Sequence, residues 1–248
     1  MKYSLQLFLS LLLCCLSVNT YATDWSKYAY DTYAARDFSG WPNMIQTLQN
    51  TAFSSTGTVD QQVKVMTCYY GYVGHLLDVK QKEEASVWNK KANTILKKLQ
   101  EKAPDDPRVI ALQSMFIAYD IAISPIKAPF QAGSMMSTAK KALKLAPSLY
   151  LANLANANIL FYFPESLGGN KKEAITYYRK VYDYFVAHPN IATSDWMYLN
   201  VMSTLAVANE AVGNYTEAIN WCNKALQVNA GFVYVKNILL PRIKQKIK

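Results

Sequence analysis

The feature that most constrains what this chain can fold into is a seven-residue stretch that occurs twice. Gly169-Asn170-Lys171-Lys172-Glu173-Ala174-Ile175 repeats as Gly213-Asn214-Tyr215-Thr216-Glu217-Ala218-Ile219. Each shared position has a physical reason to be there. Glycine takes the left-handed conformation that ends one helix. Ala174 and Ala218 are small where two helices touch, and a bulkier side chain would hold the axes apart. Ala225, two turns beyond Ala218, repeats the small contact toward the next unit. The stretch therefore marks the corner of a helical hairpin, with Gly169, Ala174, Gly213, Ala218 and Ala225 as its structural signature.

Weaker versions recur upstream. Ala139, Ala142 and Pro147 close one unit, and Glu84-Ala85 with Ala92 marks another. Equating Ala85, Met135, Ala174 and Ala218 gives intervals longer than the usual ~34 residues of a helical-hairpin repeat, so the helices or turns are extended. Amphipathic periodicity between brief Gly, Pro or Asn breaks predicts helices over 24–37, 42–54, 59–79, 82–102, 106–123, 131–145, 148–162, 171–187, 193–212, 215–228 and 231–247. Nothing alternates in the manner of a strand ladder.

On these residues, and on Pro164-Glu165-Ser166-Leu167-Gly168-Gly169 ahead of Lys171-Lys172-Glu173-Ala174, the chain resembles exported bacterial tetratricopeptide-repeat proteins. Trp41-Pro42 and Ser124-Pro125 look like further landmarks of that group, and the resemblance spans about residues 25–230. The chain departs from the group at Ala146-Pro147-Ser148, where Asn-Pro-Arg is usual; Asp106-Pro107-Arg108 closes an earlier unit similarly. The resemblance implies an all-α, right-handed solenoid of helical hairpins and an extracytoplasmic location; it points to no particular activity. The expected organisation is a secretory leader at 1–22, a helical pair at 23–58, the repeat array at 59–230 and a capping helix at 231–248. Phe232, Val235, Leu239 and Ile243 give that last helix the apolar stripe needed to cover the end of a solenoid.

The leader rests on Lys2, an apolar run from Leu5 to Val18, and small residues Thr20 and Ala22 before a cut ahead of Thr23. The run is shorter than the roughly 20 residues a membrane span needs. Leu13 and Cys14 precede the leader cysteines where a lipoprotein signal carries small residues, so the expectation is a periplasmic or secreted protein without a lipid anchor. The remaining cysteines, Cys68 and Cys222, stand far apart among helical residues and read as buried free thiols. With 26 Lys and Arg against 17 Asp and Glu, the chain is basic, with a formal charge of +9. Outside the cytoplasm this suits acidic proteins or an anionic envelope better than nucleic acid.

Catalytic and cofactor signatures are missing from the sequence. The two histidines, His75 and His188, fall in different units, which argues against a metal site. His75 reads as a packed residue and His188 as a partner for terminal carbonyls. No nucleophile elbow, phosphate loop or dinucleotide fingerprint occurs. Asp105-Asp106 reads as a helix cap before Pro107, and Glu83-Glu84 and Glu173 as first-turn acids favoured by the helix dipole. The expectation is a non-enzymatic protein with no cofactor or metal.

Two binding modes stay open. Asn153 and Asn156 share one face of a first helix, the kind that lines the concave side of such solenoids, and Asn200 and Glu210 occupy comparable faces in the next unit. Asparagine amides both donate and accept, so these four residues could clamp a peptide or protein partner. The alternative is a small ligand or envelope glycan in a groove lined by some of the many aromatic residues, which form 13% of the chain.

Overall fold

The computed structural model describes residues 24–247; the expected leader at 1–22 lies outside them. The fold is all-α, with twelve α-helices and no strand among the described residues. In chain order these are α1 (Trp25–Ala35), α2 (Trp41–Ala52), α3 (Val59–Asp78), α4 (Lys82–Lys102), α5 (Pro107–Ile123) and α6 (Ala128–Leu145). There follow α7 (Tyr150–Tyr162), α8 (Lys171–Ala187), the short α9 (Pro189–Ala192), α10 (Trp196–Ala211), α11 (Tyr215–Val228) and α12 (Leu240–Gln245). Most bounds fall within two or three residues of those read from periodicity. The four-residue α9 was hidden because His188-Pro189 reads as simple punctuation.

Helix starts are set by local chemistry. Asp24, Asp106, Asn170, Asp195 and Asn214 each accept a backbone N–H of the following first turn through the side chain. Thr58 and Gln61 cap α3 reciprocally. The duplicated stretch thus owes its Asn and Glu to one device, since Asn170 accepts from the Glu173 backbone and Asn214 from that of Glu217. Its glycines differ in role. Gly213 has φ of 78°, but upstream it is Gly168 that takes φ of 91°. Gly169 is required by space: a Cβ there would lie 1.9 Å from the Phe163 carbonyl oxygen.

Consecutive helices pair as antiparallel hairpins: α3 with α4, α5 with α6, α7 with α8 and α10 with α11. Ala174, Ala218 and Ala225 are fully buried at these contacts. Second helices are one-sided. Along α4 the buried residues Ala85, Asn89, Ala92, Leu96 and Leu99 form a single stripe, while Lys90, Lys91, Lys97 and Lys98 face water. First helices are apolar nearly all round, as α10 shows with Met197, Leu199, Val201, Met202 and Leu205 all buried. They are packed against helices on both sides.

The two ends of the chain then meet. Helix α1 lies against α10, and the Asn200 amide donates to the Tyr33 hydroxyl at 2.9 Å. Trp196 packs against Trp41 at 5.7 Å between ring centres. The closing segment is continuously helical over 233–245, though not α-helical throughout. A π-helical turn at Val235–Leu239 precedes α12, absorbing the register change as Pro241, which has no N–H to donate, enters the next turn. Phe232, Val235, Leu239 and Ile243 are buried against the preceding helices. Cys68 and Cys222 are both free and buried.

Candidate functional site

A cavity of about 730 Å³ lies between the first helices of the hairpins and the packed pair α1 and α10. That lies within the roughly 300–1,000 Å³ typical of small-molecule sites. Each of these helices contributes to its wall. Helix α3 supplies Tyr70, Gly71, Gly74 and His75; α5 supplies Met115, Ala118 and Tyr119; α7 supplies Asn158 and Tyr162. Helix α10 adds Trp196, Asn200 and Ser203 from the other side. The chain ends complete it with Tyr33, Arg36 and Phe38 near α1, and Phe232, Tyr234 and Arg242 near α12.

The rings form a connected frame. Tyr33 contacts Phe38, Trp196 and Phe232 with centroids 5.8, 5.1 and 5.8 Å away. Tyr70 stacks on Tyr119 at 4.9 Å and 15°. His75 lies flat on Phe38 at 3.9 Å and 7°. The frame can close this tightly because α3 presents glycine there. A Cβ on Gly71 would come within 2.8 Å of the Trp196 ring, and one on Gly74 within 2.6 Å of the Tyr119 hydroxyl.

Polar groups in the wall are tied to one another. Tyr178 donates to the Asn158 carbonyl oxygen at 2.8 Å, and the Asn158 amide donates to the Tyr70 hydroxyl at 2.9 Å. Tyr119 donates to the Tyr70 backbone carbonyl at 3.1 Å. Burial raises the pKa values of Tyr33, Tyr70 and Tyr119, so all three remain neutral hydroxyls. Burial also lowers that of His75, against the attraction of Asp78, and keeps the ring neutral near pH 7. Tyr162 is 72% exposed by surface, yet its phenol is pushed up to about 12, first by the surrounding protein and then by Tyr70 and Tyr234. An accessible ring in a protein-crowded environment is the signature of a concave wall. The formally charged lining residues are Arg36, Asp78 and Arg242, all three partly exposed.

The residues singled out from the sequence divide. Asn200 lines the cavity and holds Tyr33. Asn153, which the sequence put on the concave face, is 1% exposed and donates to the carbonyls of Pro147 and Leu149. Asn156 donates to Ala139 and Ala152 carbonyls, bridging α7 to α6. Their face of α7 turns toward the neighbouring hairpin, so neither amide offers donors to a ligand. Glu210 is buried and receives Arg242 in two hydrogen bonds, 3.2 and 2.6 Å. His188 caps α8 with Nδ1 2.7 Å from the Tyr184 carbonyl. Among the described residues no cluster of His, Cys, Asp and Glu could hold a metal.

Sequence reasoning missed Tyr33, Tyr70, Tyr119, Tyr234 and both arginines. One signal was present. Gly71 and Gly74 stand inside a long helix, where each costs about 1 kcal/mol relative to Ala, and such a cost points to close approach by something bulky.

A smaller cavity of about 260 Å³ lies at the opposite end of α3, between α1 and the start of α10. Trp196 borders both. Lys64, Cys68 and Asp195 line the smaller one.

No family model and no curated protein matches the chain. The fold is similar to a solved structure, the HusA haemophore from Porphyromonas gingivalis. The TM-score is 0.57 at 17% identity, covering 76% of this chain and 94% of that one. At this identity the likeness concerns the fold. No described helix is long and apolar enough to cross a membrane.

Proposed function

We propose that this protein is an exported, non-catalytic binder that holds a small, flat, largely apolar ligand in the cavity enclosed by its helical hairpins. The observation that carries the reading is the 730 Å³ aromatic-lined cavity with mostly uncharged walls and a charged, partly exposed mouth. Stacked and edge-on rings present flat apolar surface that stays rigid, and a planar ligand gains most from it. Most of the lining is uncharged, so an apolar body is favoured over a charged one there, because burying a charge without a partner is costly. The haemophore with the similar fold is consistent with a ligand of tetrapyrrole size and shape. The hairpins are taken as a right-handed tetratricopeptide-like array in which ligand binding replaces the peptide groove. The protein-scaffold alternative loses support because Asn153 and Asn156 spend their amides inside the fold.

The test is titration of the purified chain with protoporphyrin IX and with haemin, followed by tryptophan fluorescence. Trp196 borders the cavity, so saturable one-to-one quenching is expected. Ala118→Trp, which fills the cavity from α5, should abolish quenching while leaving a cooperative melt. Absence of saturable binding by either planar probe, or unchanged binding by the folded Ala118→Trp variant, would sink the proposal.

A further inference from the structure

We infer that the cavity mouth is an anion subsite in which Arg36 and Arg242 receive an acidic group of the ligand across Tyr234. The ligand class this selects is a planar apolar molecule bearing a carboxylate or comparable oxyanion. The inference rests on the binding reading above and names which side of the ligand faces out.

The two arginines come from opposite ends of the chain and meet at one ring. The Arg36 guanidinium lies over Tyr234 at 5.4 Å from its centroid, and the Tyr234 phenol also faces Arg242. All three line the cavity. Each arginine has an internal carboxylate, but neither is used up. Arg36 engages Asp78 through Nη2 alone at 2.8 Å, and that carboxylate is 56% exposed. Arg242 is gripped through Nε and Nη2 by Glu210, whose side chain is only 6% exposed and which also takes Lys246 at 3.1 Å. Among the described residues its Nη1 meets no carboxylate, and the Tyr234 phenol is the other polar neighbour of the guanidinium. A guanidinium carries five N–H donors in a fixed fork, so one edge can be held while another binds. Glu210 thus acts as a positioning residue that fixes the direction of Arg242.

The charge count favours an anion. In the cavity lining two cations, Arg36 and Arg242, stand against one carboxylate, Asp78, while Glu210 and Lys246 pair behind Arg242 and Asp37 turns its carboxylate onto Ser39. Arg36 is placed there by the end of α1: it is the left-handed C-cap of that helix, with φ of 56°, and its N–H donates to the Tyr33 carbonyl at 3.0 Å.

The experiment compares protoporphyrin IX with its dimethyl ester, which keeps the ring system and removes the acids. Binding is read by tryptophan quenching in the wild-type chain and in Arg36→Gln, Arg242→Gln and Asp78→Asn. The acid should bind roughly tenfold or more tighter than the ester, as a charge-assisted hydrogen bond implies. Either arginine substitution should weaken the acid by a similar factor and leave the ester unchanged. Asp78→Asn should tighten the acid alone, because it removes a competing carboxylate. Arg36 pairs with an exposed partner, so Arg36→Gln tests the subsite even if Arg242→Gln weakens the fold. Equal affinity for acid and ester, or equal losses for both in Arg36→Gln, would overturn the subsite while leaving the cavity reading intact. Failure of both probes to bind the wild-type chain would overturn that reading and this one together.

Discussion

Asp195 shows how a single side chain carries two opposing demands. It caps α10 by accepting the Met197 N–H at 2.9 Å, yet burial raises its carboxyl pKa against that bond and against Lys64. A carboxyl whose folded pKa lies above its ordinary value contributes stability below the ordinary value. That contribution is lost as pH rises through the folded pKa. Asp195→Asn keeps a capping oxygen and removes the charge. Its melting temperature should therefore gain on the wild type as pH climbs from 3 to 7, and a gap independent of pH would contradict the assignment. The thiols make a second case. Burial pushes both Cys68 and Cys222 up to about 12, and a thiolate is the reactive form. A disulfide reagent at pH 8 should label neither in the native protein and both in denaturant. Residue chemistry of the capping kind was legible beforehand, as Asp106 before Pro107 and His188 at its helix end both show. The orientation of Asn153 and Asn156 was not. Helical spacing says that two residues share a face, but it cannot say which neighbour that face meets.

At the scale of elements, α3 is the most constrained piece. Its glycines let the rings of Trp41, Trp196 and Tyr119 close on the backbone. Gly71→Ala would ordinarily stabilise a helix by about 1 kcal/mol through propensity. Here the added methyl would come within 2.8 Å of the Trp196 ring and 2.9 Å of the fully buried Trp41 ring, and overpacking of this type costs about 1–3 kcal/mol. Urea unfolding should therefore show net destabilisation, whereas a neutral or stabilising result would mean that the rings are looser than described. Asn214→Ala tests the duplicated stretch in the same assay and should cost about 1 kcal/mol through loss of its cap. The elements themselves were nearly all visible in the sequence, because α4, α8 and α11 advertise one apolar stripe and most helices announce their starts. In the closing segment the helix was legible but its π-helical turn at Val235–Leu239 was not, since such a turn keeps helical periodicity on either side and shifts it only by a residue.

For the molecule as a whole, ligand binding and stability should be linked. A ligand confined to the folded state at a hundred times its dissociation constant adds about 2.7 kcal/mol. A rise in melting temperature with protoporphyrin IX, absent in Ala118→Trp, is the expected result. The site was hard to find from the sequence for a reason of the same scale: Tyr33 and Arg36 meet Phe232, Tyr234 and Arg242 only because the two ends of the chain meet. That meeting also changes how the chain must fold. An open stack of repeats is nearly one-dimensional, so its units add up neighbour by neighbour and can fray from either end. The bond between Asn200 and Tyr33 instead joins α10 to α1 across 167 positions of the chain. Such a protein should unfold in one cooperative step and form slowly for its helix content, because its last contact is also its most distant one.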